Sequence, residues 1–156
     1  MKAQVAGEDT YIIFEIAGTS YGVLSQTVQQ IEMIDHITPL PNAPAFVDGV
    51  VFTRGQVIPA LNLRARFGFD RVPHTNRTRL LVVNSGGRTV GLVVDTAREF
   101  IGIAPDNIQP PSQSLAGISG EYLKGTVNVG QRIILVVNLE EIIQLTRGLE
   151  EIRGRA

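Results

Sequence analysis

The stretch RLLVVNSGGRTVGLVVD, residues 79–95, limits the possible folds more than any other part of the chain. Leu80–Val83 and Leu92–Val94 are apolar at successive positions, and Ser85-Gly86-Gly87 stands between them. A strand with one wet face alternates apolar and polar residues, so runs apolar on both faces need cover on both sides. The glycines supply the positive φ that a tight hairpin turn demands. The sequence therefore calls for a hairpin sandwiched between other elements.

The rest of the chain reads as more short strands. Tyr11–Ile16 and Tyr21–Leu24 flank a polar turn, Ala17–Ser20. SQTVQQIEMI (25–34) spaces Val28, Ile31 and Ile34 by three, as on a helix, yet also fits one turn followed by a strand. The second reading is preferred, because it sets Ile31, Met33 and Asp35 on one face and Glu32 and Ile34 on the other. Pro39, Pro41 and Pro44 make 37–49 a connector, in which Asn42 could cap a helical turn through Phe46. A second hairpin follows: Val50–Thr53, an Arg54-Gly55 turn, then Val57–Leu63, where Pro59 suggests an edge strand or a bulge. Residues 64–76 read as a linker with a helical fragment, 98–111 as a strand with a proline stop, and 112–120 as a flexible loop. A last hairpin spans 122–139, and NLEEIIQLTRGLEEI (138–152) reads as a terminal helix. Asn138 would cap it, with Glu141 three residues on and Leu139, Ile142 and Ile143 on the buried stripe. The fold class is all-β with one terminal helix.

The second and last hairpins echo each other. Gly49 and Gly125, Val51 and Val127, and Asn62-Leu63 and Asn138-Leu139 align without gaps, since each glycine precedes its asparagine by 13 residues. Two related lobes would produce this echo, and so would chance similarity between Val-rich hairpins.

Chemistry is sparse. The chain has 156 residues and no cysteine, which excludes disulfides, thiolate metal sites and a cysteine nucleophile. His36 and His74 lie apart in polar, proline-flanked loops, and the aspartates show no metal-ligand spacing. SGGRTVG (85–91) joins strand to strand and lacks the Lys-Ser/Thr of a phosphate loop. No serine-nucleophile elbow occurs, and the NRT at 76–78 is a glycosylation sequon only in a secreted protein. A net charge of −1 with scattered Lys and Arg argues against nucleic-acid binding. With no signal-like start and no apolar run near membrane-spanning length, the expectation is a cytoplasmic protein without membrane insertion. Neither a catalytic residue, a metal nor a cofactor is expected.

YGVLSQTVQQI, ITPLPNAPAFVDGVVFTRGQVIPALNLRARFG, VGLVVD and EYLKGTVNVGQRIILVVNLEEII, in this order from about Tyr11 to Leu145, resemble the CheW family of bacterial chemotaxis coupling proteins. The resemblance implies two five-stranded, SH3-like β-barrel lobes packed side by side, with a short C-terminal helix. Residues 11–145 would form that domain, between tails at 1–10 and 146–156. The lobe boundary would fall near 67–77, blurred if strands are exchanged. The implied role is a non-enzymatic adaptor between the cytoplasmic tip of chemoreceptors and the regulatory domain of the histidine kinase CheA, located at membrane-associated receptor arrays. By position, a receptor-binding groove would include Val28, Gln30, Ile31, Arg54 and Val90. Val28 and Ile31 are equally readable as core residues. Gly49 matches a glycine associated with kinase contact, or else marks a tight turn with no room for a side chain.

Two departures from the family pattern stand out. Gln30 occupies the place of a glutamate that usually pairs with the arginine at position 54, and Asn62 replaces a common aspartate. Losing an exposed ion pair costs only about 0–1 kcal/mol, so partner choice should change more than stability. This also makes an adaptor of a parallel pathway (type IV pilus, gliding or phototaxis) credible. A sensor binding a small molecule between the lobes is a more remote reading, since Arg54 and Gln30 are nearly the only polar groups it would have.

Overall fold

Every hairpin read from the sequence is present in the computed structural model, which describes residues 7–111 and 120–144. In chain order the strands are β1 Asp9–Ile16, β2 Thr19–Leu24, β3 Val28–Met33, β4 Val47–Thr53, β5 Gln56–Asn62, β6 Arg79–Ser85, β7 Arg88–Val94, β8 Thr96–Ile103, β9 Leu123–Val129 and β10 Arg132–Val137. Two one-turn helices, α1 Leu63–Arg66 and α2 Leu139–Ile142, follow β5 and β10. A 3-10 turn at Ser25–Thr27 precedes β3, so the ambiguous segment is a turn and then a strand. Gly86 and Gly87, at φ 60° and 80°, form the expected turn between β6 and β7.

The strands make two five-stranded sheets, ordered β8-β1-β2-β10-β9 and β3-β6-β7-β5-β4. The chain crosses to the second sheet at Ser25–Thr27 and returns between β7 and β8, with Asp95 alone at the crossing. Residues 67–77 therefore do not divide the lobes; they join α1 to β6 within the second sheet. The sheets curl but are not closed barrels. One bridge, Thr38 to Val50 in the second lobe and Gln109 to Thr126 in the first, ties the chain after the third-strand edge to the opposite edge.

The sandwiched hairpin is explained by where its two faces go. Leu81, Val83, Val90, Leu92 and Val94 join a core shared by both lobes, with Ile12, Phe14, Tyr21 and Val23 from the first sheet. Leu80, Val82 and Val93 turn the other way, into the second lobe's own core with Val51, Ile58 and Ala60. The first lobe does the same through Tyr11, Ile13, Val127, Ile134 and Val136. Each fully buried Val, Leu or Ile contributes about 1.5–3 kcal/mol, so the shared layer dominates lobe attachment.

Polar contacts then fix the angle between lobes. Arg64 Nη2 lies 2.7 Å from Asp95 Oδ2, and that carboxylate also accepts from the Ala17 N–H at 2.9 Å. Bonding to Asp95 raises the Arg64 pKa above its ordinary value. The Arg66 guanidinium stands 3.9 Å from the Phe46 ring centroid and 5.3 Å from that of Tyr122. Its Nε donates to the Ile142 carbonyl at 3.0 Å, satisfying an acceptor at the C-terminal end of α2. A partly exposed ion pair and a cation–π contact are each worth about 1 kcal/mol or less, so they orient more than they hold.

The sequence echo is a genuine internal two-fold, and it extends to all five strands. Both sheets have one parallel pair, β5 with β7 and β10 with β2. Bulges leave Gln29 on β3 and Arg98 on β8 as extra residues, and likewise Asp48 on β4 and Lys124 on β9. Asn62 and Asn138 cap α1 and α2 through the Ala65 and Glu141 N–H groups. A β-carbon on Gly49 would lie 2.1 Å from the Thr38 oxygen, and one on Gly125 would lie 2.4 Å from the Gln109 oxygen. These glycines admit the bridging strand; Gly49 lies in a bulged strand, not a tight turn.

Three local expectations change. Asn42 sits at φ 63° within a turn and caps no helix. Pro59 is in a strand with neighbours on both sides, but β7 pairs with β5 only from Ala60 onward. Val50 directs its N–H and C=O to Thr38, away from β5, so the opposing Pro59 nitrogen needs no ladder partner. The described part of the terminal helix is the single turn of α2, with Leu139, Ile142 and Ile143 buried as expected; its remainder, and most of the 112–120 loop, lie outside the described residues.

Two stability measurements check this account. Gly49→Ala should cost about 2–4 kcal/mol in urea unfolding, because the new carbon meets backbone and not a movable side chain. Tyr21 is fully buried, stacks 5.5 Å from Phe14, and its hydroxyl has no partner among the described residues. Burial, with the Asp95 charge second, pushes its pKa up to about 12. The unfolded chain thus releases this proton first, and stability present below about pH 10 is lost as pH rises toward 12. Tyr21→Phe should hold or raise stability at neutral pH by up to about 1 kcal/mol and remove part of the alkaline loss.

Candidate interaction surface

The Arg54-Gly55 turn closes a two-stranded ribbon that outruns its sheet. Because β7 stops pairing at Ala60, residues 50–59 have no third strand beside their outer half. Val51 and Ile58 still point into the second lobe, but their alternates Phe52 and Val57 face solvent, 75% and 64% exposed. The two are a cross-strand pair. Arg54 and Gly55 have φ 48° and 79°, the two positive values of a type I′ turn. An arginine in this conformation costs on the order of 1 kcal/mol relative to glycine. Its exposed guanidinium makes no ion pair or hydrogen bond among the described residues.

Glu32, on the opposite edge strand, accepts from Thr53 Oγ1 at 2.8 and 3.0 Å. The acid nearest the hairpin is thus engaged by a neutral hydroxyl next to Arg54. Gln30 lies two residues earlier on the same side of β3, opposite Val82. Its Oε1 is buried without a hydrogen-bond partner among the described residues, and no bond joins it to Arg54. The internal two-fold shows what is missing. Glu99 is the counterpart of Gln30, and it grips Arg132, the counterpart of Gln56, through two 2.9 Å bonds. That grip lowers the Glu99 pKa below its ordinary value, with bonding to Arg132 the main cause. In the second lobe two glutamines stand at the corresponding places, and the clasp is absent.

The other expected groove residues divide into separate environments. The bulge at Gln29 reverses the facing, so Val28 and Ile31 both turn to the shared core despite their odd spacing. They are half-buried at its edge. Val28, Val83 and Val90 form one cross-strand row. Val90, however, is only 1% exposed, so the structure places it in the core and not on a groove wall. Gly49 is buried beneath the Thr38 bridge. Asn62 accepts from the Ala65 N–H and donates from Nδ2 to Asp48 at 3.0 Å. An ionised aspartate in its place could not donate and would set two carboxylates face to face.

A cleft of about 110 Å³ is lined mainly by the first lobe, through Tyr11, Leu24, Lys124, Val137 and Glu140, and meets the second lobe at Ser85. Neither Arg54 nor Gln30 lines it, and it is small beside the roughly 300–1,000 Å³ of common ligand pockets. Among the described residues, no group of three or more His, Asp or Glu is placed to hold a metal, and no helix is long and apolar enough to cross a membrane.

Sequence reading alone missed the exposed Phe52–Val57 pair, because both lie within runs that look buried. Pro59 was the available signal, since it marks where the ribbon loses its second neighbour.

The CheW-like domain profile matches residues 10–147. The chain is 31% identical to the chemotaxis protein CheW of Klebsiella aerogenes, over 90% of this chain and 87% of that one. It is also 31% identical to the protein FrzA of Myxococcus xanthus, over 94% and 92%. The scaffolding protein TtCheW from Thermoanaerobacter tengcongensis superposes with a TM-score of 0.82 at 25% identity, covering 92% of this chain and 93% of that one. Profile, relatives and superposition agree with the two-sheet architecture and its sequence motifs: the chain belongs to the CheW family.

Proposed function

We propose that this protein is a non-enzymatic adaptor that couples the cytoplasmic tip of chemoreceptors to the regulatory domain of a CheA-type histidine kinase, at membrane-associated arrays. The observation that carries the reading is the β4–β5 tip. Arg54, unpaired among the described residues, is held there at strained φ beside the exposed Phe52–Val57 pair. Apolar anchors beside one available charge suit protein recognition, where a few such residues supply most of the binding energy. The half-buried edge at Val28 and Ile31, with Gln30 beside it, is the proposed receptor contact. Gly49 would act on a kinase contact by shaping the bulged strand, having no side chain to offer. The CheW names of the relatives and the scaffolding role in the TtCheW description support the same assignment.

A second reading, an adaptor of a parallel motility pathway, is favoured by one observation. Identity to FrzA equals identity to the Klebsiella CheW. Genomic neighbours would separate the two: pilus genes favour the parallel pathway, flagellar and methyltransferase genes the chemotactic one.

The central experiment is titration of the purified protein against the kinase regulatory domain and a receptor-tip fragment from its own cell. Arg54→Ala should leave circular dichroism and thermal unfolding unchanged while weakening one association by about 1–2 kcal/mol. Absence of any association by the unaltered protein would refute the adaptor reading.

A further inference from the structure

The β4–β5 ribbon and its counterpart β9–β10 are held by different means. In the first lobe, β2 pairs with β10 from Ile134 onward. In the second, β7 pairs with β5 only from Ala60, the counterpart of Val136. The first ribbon is thus supported two positions nearer its tip. Arg132, close to that tip, grips Glu99 with two 2.9 Å bonds and reaches Ser20 Oγ at 3.1 Å. Ile101 on β8 and Val129 on β9 both pack against the first lobe's own core.

The second ribbon has none of this. Gln30 and Gln56 replace the clasp, and the bridge from Thr38 reaches only to Val50. Residues 52–57 have one polar tie to the rest of the fold among the described residues. Thr53 Oγ1 donates to the two Glu32 carboxylate oxygens, at 2.8 and 3.0 Å. Glu32 and Thr53 are the counterparts of Ile101 and Val129, so an apolar contact in one lobe is a polar bond in the other. They stand on β3 and β4, the opposite edges of the sheet. The tie therefore closes the curl of the sheet over Val51, Ile58 and Leu80.

A two-stranded ribbon without further support is marginal in water. Phe52 and Val57, 75% and 64% exposed, add little burial to hold this one. An apolar contact tolerates several packings, whereas a hydrogen bond to a carboxylate is directional and selects one. We infer that Glu32, acting through Thr53, is the positioning residue of the β4–β5 tip, fixing where the ribbon presents Arg54 and the Phe52–Val57 pair. Thr53 directly precedes Arg54, so any slack in the tie passes straight to the guanidinium. Glu32 does this without touching a partner. Its effect on binding rests on the adaptor reading above; its effect on the ribbon does not.

The test measures both effects in the full-length protein. Thr53→Val keeps the side-chain shape and removes the donor. Amide order parameters across residues 52–57 should then fall by about 0.15 or more from the value near 0.85 of rigid backbone, with Leu81 and Leu92 unchanged. Thr53→Ser should keep them. Glu32→Ile combined with Thr53→Val writes the first lobe's apolar pair into the second, and should restore the order. Thr53→Val should also weaken, fivefold or more, the association that Arg54→Ala weakens, and the double variant should recover it to within twofold. Isoleucine cannot replace a carboxylate that contacts a partner. A double variant with an ordered ribbon and lost binding would therefore make Glu32 a contact residue and overturn the inference. An ordered ribbon in Thr53→Val, or a loss of order spread through the core, would overturn it too. If the unaltered protein binds neither partner, the adaptor reading fails while the order parameters still decide the positioning.

Discussion

Everything in this structure depends on one apolar layer between two sheets. Each sheet is apolar on both faces because one face fills its own lobe and the other fills the common core. Separating the lobes would expose Phe14, Tyr21, Leu81 and Leu92 together, a cost far above that of the ion pair and cation–π contacts around it. The lobes are therefore one folding unit. The interleaved path, out at Ser25–Thr27 and back at Asp95, adds covalent closure to that attachment. Arg64, Arg66 and Asp95 act on this joined body by setting orientation.

The internal two-fold supplies a reference for every polar position. Equivalent residues that agree serve the fold: the capping Asn62 and Asn138, the glycines beneath the bridging strands, the extra residue at each bulge. Those that differ show where the lobes diverge in use. Glu99 and Arg132 clasp one hairpin, whereas Gln30 and Gln56 leave the other unclasped. Asp48 pairs with Arg71 from the chain between α1 and β6, whereas Lys124 borders an open cleft. Such differences are inexpensive, because partly exposed polar pairs contribute little to stability. Changes of partner can collect there without endangering the core.

Gln30 illustrates how the local setting shapes a polar residue. Beside it Glu32 accepts from Thr53, and Arg54 makes no ion pair or hydrogen bond among the described residues. Its buried amide oxygen has no partner among the described residues, which favours a conformation or complex that satisfies it. Stability and recognition are thus coupled at β3, although neither residue is part of the core.

The sequence by itself determined the strands, the Asn138 cap and the class of fold. Two-sided apolar runs, glycine turns and the Asn-Leu starts of α1 and α2 act over a few residues, where chain geometry leaves few alternatives. It also held the family motifs and an echo of the two-fold. Only tertiary structure decided which apolar residues are buried. Val90 and Val57 look alike in sequence, yet Val90 is enclosed by neighbouring strands while Val57 lies beyond the last residue of β5 that pairs with β7. Burial depends on what lies across the sheet, and that is set by pairings between distant segments. The bulge at Gln29, the crossing at Asp95 and the cleft bordered by Lys124 arise in the same way, from contacts that no short window of sequence contains.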